Sequence, residues 1–348
     1  MKLFSRGLLI AAALCVALFV LQGCSQNPST STPGPGTATT TTGAPTSTAA
    51  TPTTPHPGKK LVIGFSQIGS ESDWRRAHTK NIREEAAKRG ITLMFDDAQQ
   101  KQQNQIRAIE NFVNQKVDAI ILAPVKETGW EPALEKAKAA GIPVILSDRG
   151  VKLKDPSLYV TLVGPDFVEE GRMAGRWLAK KSNGKCNIVE LQGTTGSSPA
   201  IDRKKGFQEI ISQYPGMKII KSQTGDFKRT GGKAVMEAFI KAEGKNIQAV
   251  YAHNDDMALG AIEALKDAGM NPGKDVYIVS VDAVKAAFEA MIAGTLNATV
   301  ECSPLLGPGL FDACEKAVNH EPLPKQIPNK EQLFDQSVAA QVIGTRKY

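Results

Sequence analysis

The 348-residue chain has few aromatic residues, few histidines and few cysteines. Aromatic residues make up 6% of the sequence, and there are only four histidines and five cysteines. The sequence has no Cys-x-x-Cys, no metal-binding histidine pair and no Gly-x-Ser-x-Gly motif. It therefore lacks the usual signatures of zinc sites and serine hydrolases. We expect no enzymatic activity, no cofactor and no bound metal.

Positive charge is also not concentrated anywhere in the chain. The formal net charge is +7, but the lysines and arginines are spread out without a basic run. Nucleic-acid binding proteins usually cluster these residues on one face or along one helix. We therefore expect no nucleic-acid partner.

The apolar run over residues 8–21 is too short for a comfortable membrane span and instead suits a signal-peptide core. It follows Lys2 and Arg6 and ends at Leu21-Gln22-Gly23-Cys24, which resembles the lipobox of bacterial lipoproteins. That resemblance implies a signal peptide over residues 1–23, cleavage before Cys24 and lipidation of its thiol. We expect an extracytoplasmic protein anchored to a membrane by lipid. An ordinary secretory signal with an incidental cysteine is the alternative.

Residues 24–58 are predicted to form the lipidated cysteine and a disordered tether. Positions 25–58 contain no Lys, Arg, Asp or Glu, but twelve Thr and seven Pro. Such a segment cannot bury enough apolar surface to offset the entropy lost on ordering.

From residue 61 onward, short β-branched runs alternate with amphipathic segments of helical period. This alternation predicts an α/β fold with parallel sheets that are flanked by helices. About nine such units are too many for one modest sheet, so we predict two Rossmann-like lobes. A closed eight-stranded barrel is the alternative. Cys186, Cys302 and Cys314 are expected to be free, buried thiols.

Charged residues end the apolar run Val144-Ile145-Leu146-Ser147, where Asp148 and Arg149 follow directly. Open α/β sheets bind ligands outside the carboxyl ends of their strands. We therefore assign this pair to a sugar-binding cleft.

Polar and aromatic residues follow the first strand too. Helix capping by Ser72 or Asp73 is one explanation. It does not explain why an acid, an aromatic residue and a base occur together, so we predict ligand contacts from this whole segment: Glu71, Ser72, Asp73, Trp74 and Arg75.

Four residues in the second half of the chain complete the predicted site. Phe227, Asn254 and Asp282 each lie at or shortly after the end of a predicted strand, and Arg203 lies near the start of a predicted helix. Any one of them could belong to an ordinary turn, cap or surface. Together they supply the donors, acceptors and apolar faces that a carbohydrate needs.

Several motifs resemble the type I periplasmic sugar-binding proteins, the ribose-binding group of ABC transporters. They are Ser147-Asp148-Arg149, Glu190-Leu191-Gln192-Gly193, the segment 202–207 and the segment 252–256. Segments 65–75 and 128–132 look most similar to galactofuranose-binding proteins within that group. Ribose binders have a glutamine where Cys302 aligns, so the resemblance argues against ribose itself.

The resemblance implies two lobes that are joined by three crossovers and close on a ligand about a hinge. The expected crossovers lie near Gly150, near Cys302-Ser303 and near Pro322-Lys325. The N-terminal lobe would then comprise residues 59–149 and 303–324, and the C-terminal lobe residues 150–302 and 325–348. The first lobe would contribute the predicted site residues up to Arg149, and the second would contribute the other four.

The expected function is capture of a monosaccharide, a hexose in furanose form, and its delivery to an ABC permease. We expect a monomer. A sugar-sensing lipoprotein that presents its ligand to a chemoreceptor or sensor kinase is the main alternative. An NAD-dependent enzyme is a weaker one, because the sequence has no dinucleotide fingerprint.

Overall fold

The computed structural model describes residues 60–348. The predicted signal peptide, lipidated Cys24 and tether lie outside this range. Within it, no helix is long and apolar enough to cross a membrane.

The described residues form twelve strands and ten α-helices, numbered in chain order. The strands are β1 (Val62–Gln67), β2 (Thr92–Asp97), β3 (Ala119–Leu122), β4 (Val144–Ser147), β5 (Thr161–Gly164), β6 (Lys185–Gln192), β7 (Gly216–Thr224), β8 (Ala249–Ala252), β9 (Tyr277–Asp282), β10 (Ala298–Glu301), β11 (Gln326–Pro328) and β12 (Leu333–Asp335). The helices are α1 (Asp73–Arg89), α2 (Gln102–Asn114), α3 (Glu131–Ala139), α4 (Phe167–Lys181), α5 (Ser198–Ile211), α6 (Arg229–Glu243), α7 (Asp255–Asp267), α8 (Lys285–Ile292), α9 (Gly307–Val318) and α10 (Ala339–Val342).

The strands form two six-stranded sheets, which confirms the predicted fold of two lobes. The first sheet has the order β11-β5-β4-β3-β1-β2, with every pair parallel. The second has the order β12-β10-β9-β8-β6-β7, and only β12 runs antiparallel to its neighbour. The first sheet packs α1 and α9 on one face and α2 and α3 on the other. Because both faces are covered, its central strands are continuously apolar rather than alternating.

Two of the three expected crossovers are wrong. We expected the first near Gly150, but β5 pairs with β4 in the first sheet, so the chain crosses after Gly164. We expected the third near Pro322-Lys325, but β11 pairs with β5, so the chain crosses between β11 and β12. Both errors have one cause: nothing in the sequence of a strand of three or four residues, such as β5 or β11, indicates which sheet it joins.

The first lobe therefore comprises residues 60–164 together with 307–328, and the second comprises residues 167–301 together with 333–348. The other crossover joins β10 of the second lobe to α9 of the first, through Cys302.

Glycines bring two helices of the second lobe into backbone contact. A Cβ on Gly206 of α5 would lie 1.9 Å from the Val168 carbonyl oxygen of α4. A Cβ on Gly171 of α4 would lie 2.2 Å from the Arg203 carbonyl oxygen of α5. This close approach fixes the position of Arg203, whose side chain enters the site described below.

We expect Gly206→Ala to lower the free energy of unfolding by roughly 1–3 kcal/mol, because the added methyl group must push two helix backbones apart. Urea unfolding followed by circular dichroism measures the loss. Gly309→Ala in α9 is the matched control, since its Cβ would meet nothing closer than Val163 Cγ1 at 3.4 Å. Equal stability of the two variants would contradict this account of the helix contact.

Candidate functional site

A cavity of about 280 Å³ lies between the carboxyl ends of the two sheets. Its lining combines three arginines, three carboxylates and three aromatic rings with smaller polar and apolar groups. The lining residues are Glu71, Ser72, Trp74, Arg75, Asp148, Arg149, Phe167, Pro199, Arg203, Phe227, Asn254, Asp282 and Cys302. The structure thus brings together ten of the eleven side chains that the sequence singled out.

An ion pair from the first lobe forms one wall. Arg75 Nη2 donates to Asp148 Oδ2 at 2.8 Å, and Arg149 Nε lies 3.7 Å from the same oxygen. Burial favours the neutral acid, but Arg75 and Arg149 outweigh it and hold the pKa of Asp148 below its usual value. Burial and the nearby Arg75 lower the pKa of Arg149 to about 10, so its guanidinium is charged at neutral pH.

Trp74 connects this wall to a chain crossover. Its Nε1–H donates to the Cys302 carbonyl oxygen at 2.5 Å, and its ring stacks on His78 with centroids 5.0 Å apart. Burial, with Arg75 nearby, lowers the pKa of His78 to about 3. The imidazole is therefore neutral, and it contacts Ser147 Oγ at 2.9 Å and Gln67 Nε2 at 3.0 Å. This network holds the indole ring in one orientation.

Arg203 is the corresponding cation of the second lobe. Its Nε donates to Glu170 Oε2 and its Nη1 to the His253 carbonyl oxygen, both at 2.6 Å. The Arg203 guanidinium lies 6.0 Å from the ring centroid of Phe227. The guanidinium of Arg149, which belongs to the first lobe, lies 5.1 Å from the same centroid. Phe227 therefore contacts cations of both lobes through its ring.

Asp282 contributes a carboxyl group close to Arg203, with Oδ1 3.9 Å from Nη2. Burial raises the pKa of Asp282 well above its usual value, and Arg203 only partly opposes this. The second lobe thus offers the cavity a charged donor, Arg203, beside the carboxyl group of Asp282.

Two predicted site residues also cap helices, which was the alternative to ligand binding in the sequence analysis. Ser72 caps α1 by accepting from the Arg75 amide, and Asn254 caps α7 by accepting from the Met257 amide. Asn254 also donates to the Phe227 carbonyl oxygen at 3.1 Å. The two explanations are compatible, because each helix begins at the cavity.

Three lining residues have left-handed backbone conformations: φ is 66° at Asp148, 60° at Phe227 and 125° at Asp282. Such conformations are costly for residues with side chains and occur mostly where surrounding contacts enforce them. The Phe227 ring fits here because Gly193 has no side chain: a Cβ at that position would lie 1.9 Å from the ring.

Two buried atoms of lining residues make no hydrogen bond within the described part of the chain: Glu71 Oε2 and Arg149 Nε. One is an acceptor and the other a donor. Buried polar atoms without partners are costly. A ligand that both donates and accepts, as a hydroxyl group does, is suited to such a pair.

Asp73 is the one predicted site residue that does not line the cavity, so its assignment to the cavity wall is wrong. As the first residue of α1, it turns outward to Arg76 one helical turn on and to Arg229 of the second lobe. Phe167, Pro199 and Cys302 were missed instead. Phe167 and Pro199 are apolar residues in the first turns of α4 and α5, and Cys302 is a thiol, so none of them is a polar residue that marks a strand end.

Glu170, Cys302 and Glu331 lie within 4.8 Å of one another and form a candidate metal site within residues 60–348. The donor set does not fit a cation. The Glu170 carboxylate is already paired with Arg203. Burial, together with the nearby Glu170, raises the pKa of Glu331 to about 11, so Glu331 holds a proton. Cys186, Cys302 and Cys314 are free and buried, as predicted.

Comparison with known proteins agrees with this fold. Residues 63–304 match the family described as periplasmic binding protein domain. The galactofuranose-binding protein YtfQ of Escherichia coli (strain K12) is 54% identical over 291 residues, 82% of this chain and 92% of that protein. The ribose import binding protein RbsB of Bacillus subtilis (strain 168) is 31% identical over 91% of this chain and 95% of that protein.

Solved structures agree as well. A galactofuranose binding protein of known crystal structure has 54% sequence identity to this chain and a TM-score of 0.81. The match covers 82% of this chain and 98% of that protein. A Shewanella sp. ANA-3 protein bound to α- and β-L-arabinofuranose is 51% identical, with a TM-score of 0.80 over 82% of this chain and 95% of that one. A Mycobacterium smegmatis protein in complex with β-D-fucofuranose is 49% identical, with a TM-score of 0.81 over 83% of this chain and 95% of that one.

Asp255, beneath the cavity, should make stability depend on pH. Burial raises its pKa to about 7, although hydrogen bonds from Ser280, Val284 and Thr299 oppose the shift. Between about pH 4, the ordinary value, and pH 7 the folded state therefore binds more protons at this carboxyl than the unfolded state does. Its contribution to stability is greatest below that range and falls as the pH rises through it.

Asp255→Asn cannot titrate and should lack this dependence. We expect the unfolding free energy of the variant to rise relative to the wild type from pH 4 to 7, by on the order of 1 kcal/mol per pH unit. Urea unfolding at a series of pH values measures the difference. Asp267→Asn, at the exposed end of the same helix, is the control. A difference that stays constant with pH would contradict the raised pKa.

Proposed function

Since the chain belongs to the family of periplasmic binding protein domains, we propose that it captures a monosaccharide in furanose form and delivers it to an ABC permease. Members of the family bind solutes and are not enzymes, and this chain is a binding protein in the same sense. The observation that carries the proposal is the enclosed cavity between two lobes, with its balanced set of arginines and carboxylates.

The charge balance favours a neutral ligand with many hydroxyl groups. Arg75 pairs with Asp148, and Arg203 pairs with Glu170, so neither arginine requires an anionic ligand. Hydroxyl groups can donate to the carboxylates and accept from the arginines. Hydrogen bonds to charged groups contribute about 1.5–3 kcal/mol each, which suits tight binding of a small sugar. Trp74 and Phe227 supply flat apolar faces for its C–H groups.

The size of the cavity supports a single sugar unit. The empty space between its walls is about 280 Å³ even with its opening to solvent included, which leaves room for one small ligand. A dinucleotide together with a substrate would not fit, which argues against the NAD-dependent alternative. Three of the most similar solved proteins carry a furanose in their names or complexes, and this supports the furanose form here.

Contacts between the lobes enclose the cavity, so the structure is a closed form. The Gly150 amide donates to Ser198 Oγ at 3.0 Å, and the Glu127 amide donates to the Gly196 carbonyl oxygen at 2.9 Å. Closure removes water from the charged groups and strengthens their hydrogen bonds to a ligand. We infer that the closed shape is the one a permease recognises.

The export signal, lipidation at Cys24, membrane anchoring and the monomeric state remain parts of this proposal. The first three are supported by the sequence pattern of residues 1–58 and by the periplasmic location that the family name implies. Mass spectrometry of the membrane-bound protein tests lipidation at Cys24 directly, because a diacylglyceryl thioether on an amino-terminal cysteine has a defined mass.

A sensor lipoprotein with the same pocket is the second candidate. The fructose binding periplasmic domain of a hybrid two component system is 29% identical and has a TM-score of 0.76. Such a protein would signal to a kinase rather than feed a permease. Sugar uptake by reconstituted permease vesicles, with and without this protein, separates the two functions.

We expect the protein to select the five-membered ring. Two deoxy sugars test this, because 5-deoxygalactose can close only to a furanose and 4-deoxygalactose only to a pyranose. Each lacks one hydroxyl group, so the pair is matched. Calorimetry should detect binding of the 5-deoxy sugar and none of the 4-deoxy sugar. Preference for the 4-deoxy sugar would exclude furanose recognition while leaving sugar binding in place.

Arg149→Met should weaken binding of D-galactose by about 10–150-fold, the equivalent of one charge-assisted hydrogen bond. Methionine keeps much of the side-chain volume and removes the donors. Arg176→Met, on the exposed surface of α4, is the control and should bind like the wild type. Thermal melts of both variants check folding. Unchanged affinity of a folded Arg149→Met would remove Arg149 from the site.

A further inference from the structure

Beside the cavity, three charged side chains connect the two lobes: Asp73 of the first lobe with Arg229 and Asp256 of the second. We call them the interlobe cluster. Arg229 Nη2 lies 3.2 Å from Asp73 Oδ2 and 3.2 Å from Asp256 Oδ1. One arginine thus bridges a carboxylate of its own lobe and a carboxylate of the other.

A hydrogen bond across the lobes accompanies this bridge. The Asp73 backbone amide donates to Asp256 Oδ2 at 2.8 Å. This amide belongs to the first turn of α1, where backbone donors have no partner within the helix. A carboxylate of the second lobe therefore caps the helix that carries Trp74 and Arg75 into the cavity.

The position of Arg229 points to the same conclusion. Arg229 is the first residue of α6, where the helix dipole disfavours a cation. Asp73 and Asp256 lie in the first turns of α1 and α7, where the dipole favours an anion. The two carboxylates therefore stabilise the arginine in this unfavourable position. One of them, Asp73, contacts Arg229 only while the lobes are together.

Separation of the lobes would break only part of the cluster. Arg229 and Asp256 lie in the same lobe and would remain paired, whereas Asp73 would keep only Arg76 of its own helix. Both the Asp73–Arg229 ion pair and the amide bond to Asp256 would be lost. The cluster therefore stabilises the closed form relative to an open one.

We propose that the interlobe cluster raises ligand affinity from outside the cavity by holding the lobes closed, with Arg229 as its positioning residue; this rests on the proposed function. Asp73 and Arg229 are 38% and 41% exposed, so the ion pair is accessible to salt. Ligand release, which requires opening, should consequently be faster at high ionic strength. The hydrogen bonds between neutral groups of the two lobes, Gly150–Ser198 and Glu127–Gly196, supply no such dependence.

The test compares Arg229→Gln with Lys233→Gln. Lys233 pairs with Glu263 and Asp267, so it joins α6 and α7 as Arg229 does but touches only its own lobe. D-galactose is the probe, with affinity from calorimetry and dissociation rates from stopped-flow tryptophan fluorescence. Both are measured at about 0.05 and about 1 M NaCl, between which the screening length falls from above 10 Å to about 3 Å.

At low salt we expect Arg229→Gln to bind about two- to fivefold more weakly than the wild type, mainly through faster dissociation. At high salt the two should converge. Lys233→Gln should match the wild type at both salt concentrations, and Arg229→Lys should recover part of the lost affinity. An Arg229→Gln protein that matches the wild type at low salt, or is weakened equally at both, would overturn the proposal.

Small-angle X-ray scattering separates this proposal from the proposed function. At low salt the interlobe cluster predicts a smaller radius of gyration for the wild type than for Arg229→Gln, and this comparison needs no ligand. Absence of galactose binding by the wild type would count against the function, whereas equal radii for the two proteins would count against the cluster.

Discussion

The structure of the site depends on burying charges without leaving them uncompensated. Moving an ion out of water costs several kcal/mol, even after the protein relaxes around it. Glu71 and Asp148 meet this cost with Arg75 and Arg149, and Arg203 meets it with Glu170. Each lobe is thus electrically balanced on its own. Because neither lobe needs the ligand to neutralise a buried charge, the cleft can close on an uncharged molecule and recognise it through hydrogen bonds.

The strained backbone at the strand ends follows from the same requirement. Asp148, Phe227 and Asp282 each have positive φ at or just beyond the carboxyl end of a strand. In the extended conformation of the preceding strand, successive side chains would point alternately to the two faces of the sheet. A left-handed residue at the end turns the side chain along the strand direction, toward the opposite lobe. Packing of glycine against Phe227 makes one of these turns feasible.

Much of this was accessible from the sequence, for identifiable reasons. The alternation of apolar runs with helical periodicity predicted the two lobes, and the charged, polar and aromatic residues that follow strands predicted ten cavity residues. Asp73 was misplaced because its neighbours Glu71 and Trp74 do enter the cavity, and sequence alone does not give the direction of each side chain. Cys302 was missed as a cavity residue because a thiol after a strand resembles a core residue. The crossovers after Gly164 and Pro328 depend on pairings of three or four residues, which carry no local signal.

The corrected crossovers also bear on the order in which the polypeptide can assemble. Residues 167–301 supply all but one strand of the second sheet in a single stretch. The first sheet is complete and covered only after α9 and β11 have been synthesised, near the end of the chain. Until α9 has been synthesised, Ile63, Phe65 and Ile82 lack the cover of Leu310 and Phe311. During vectorial synthesis the later lobe can therefore become compact first, while the earlier one exposes an apolar sheet face. That interval is when the nascent chain is most open to aggregation and to chaperone binding.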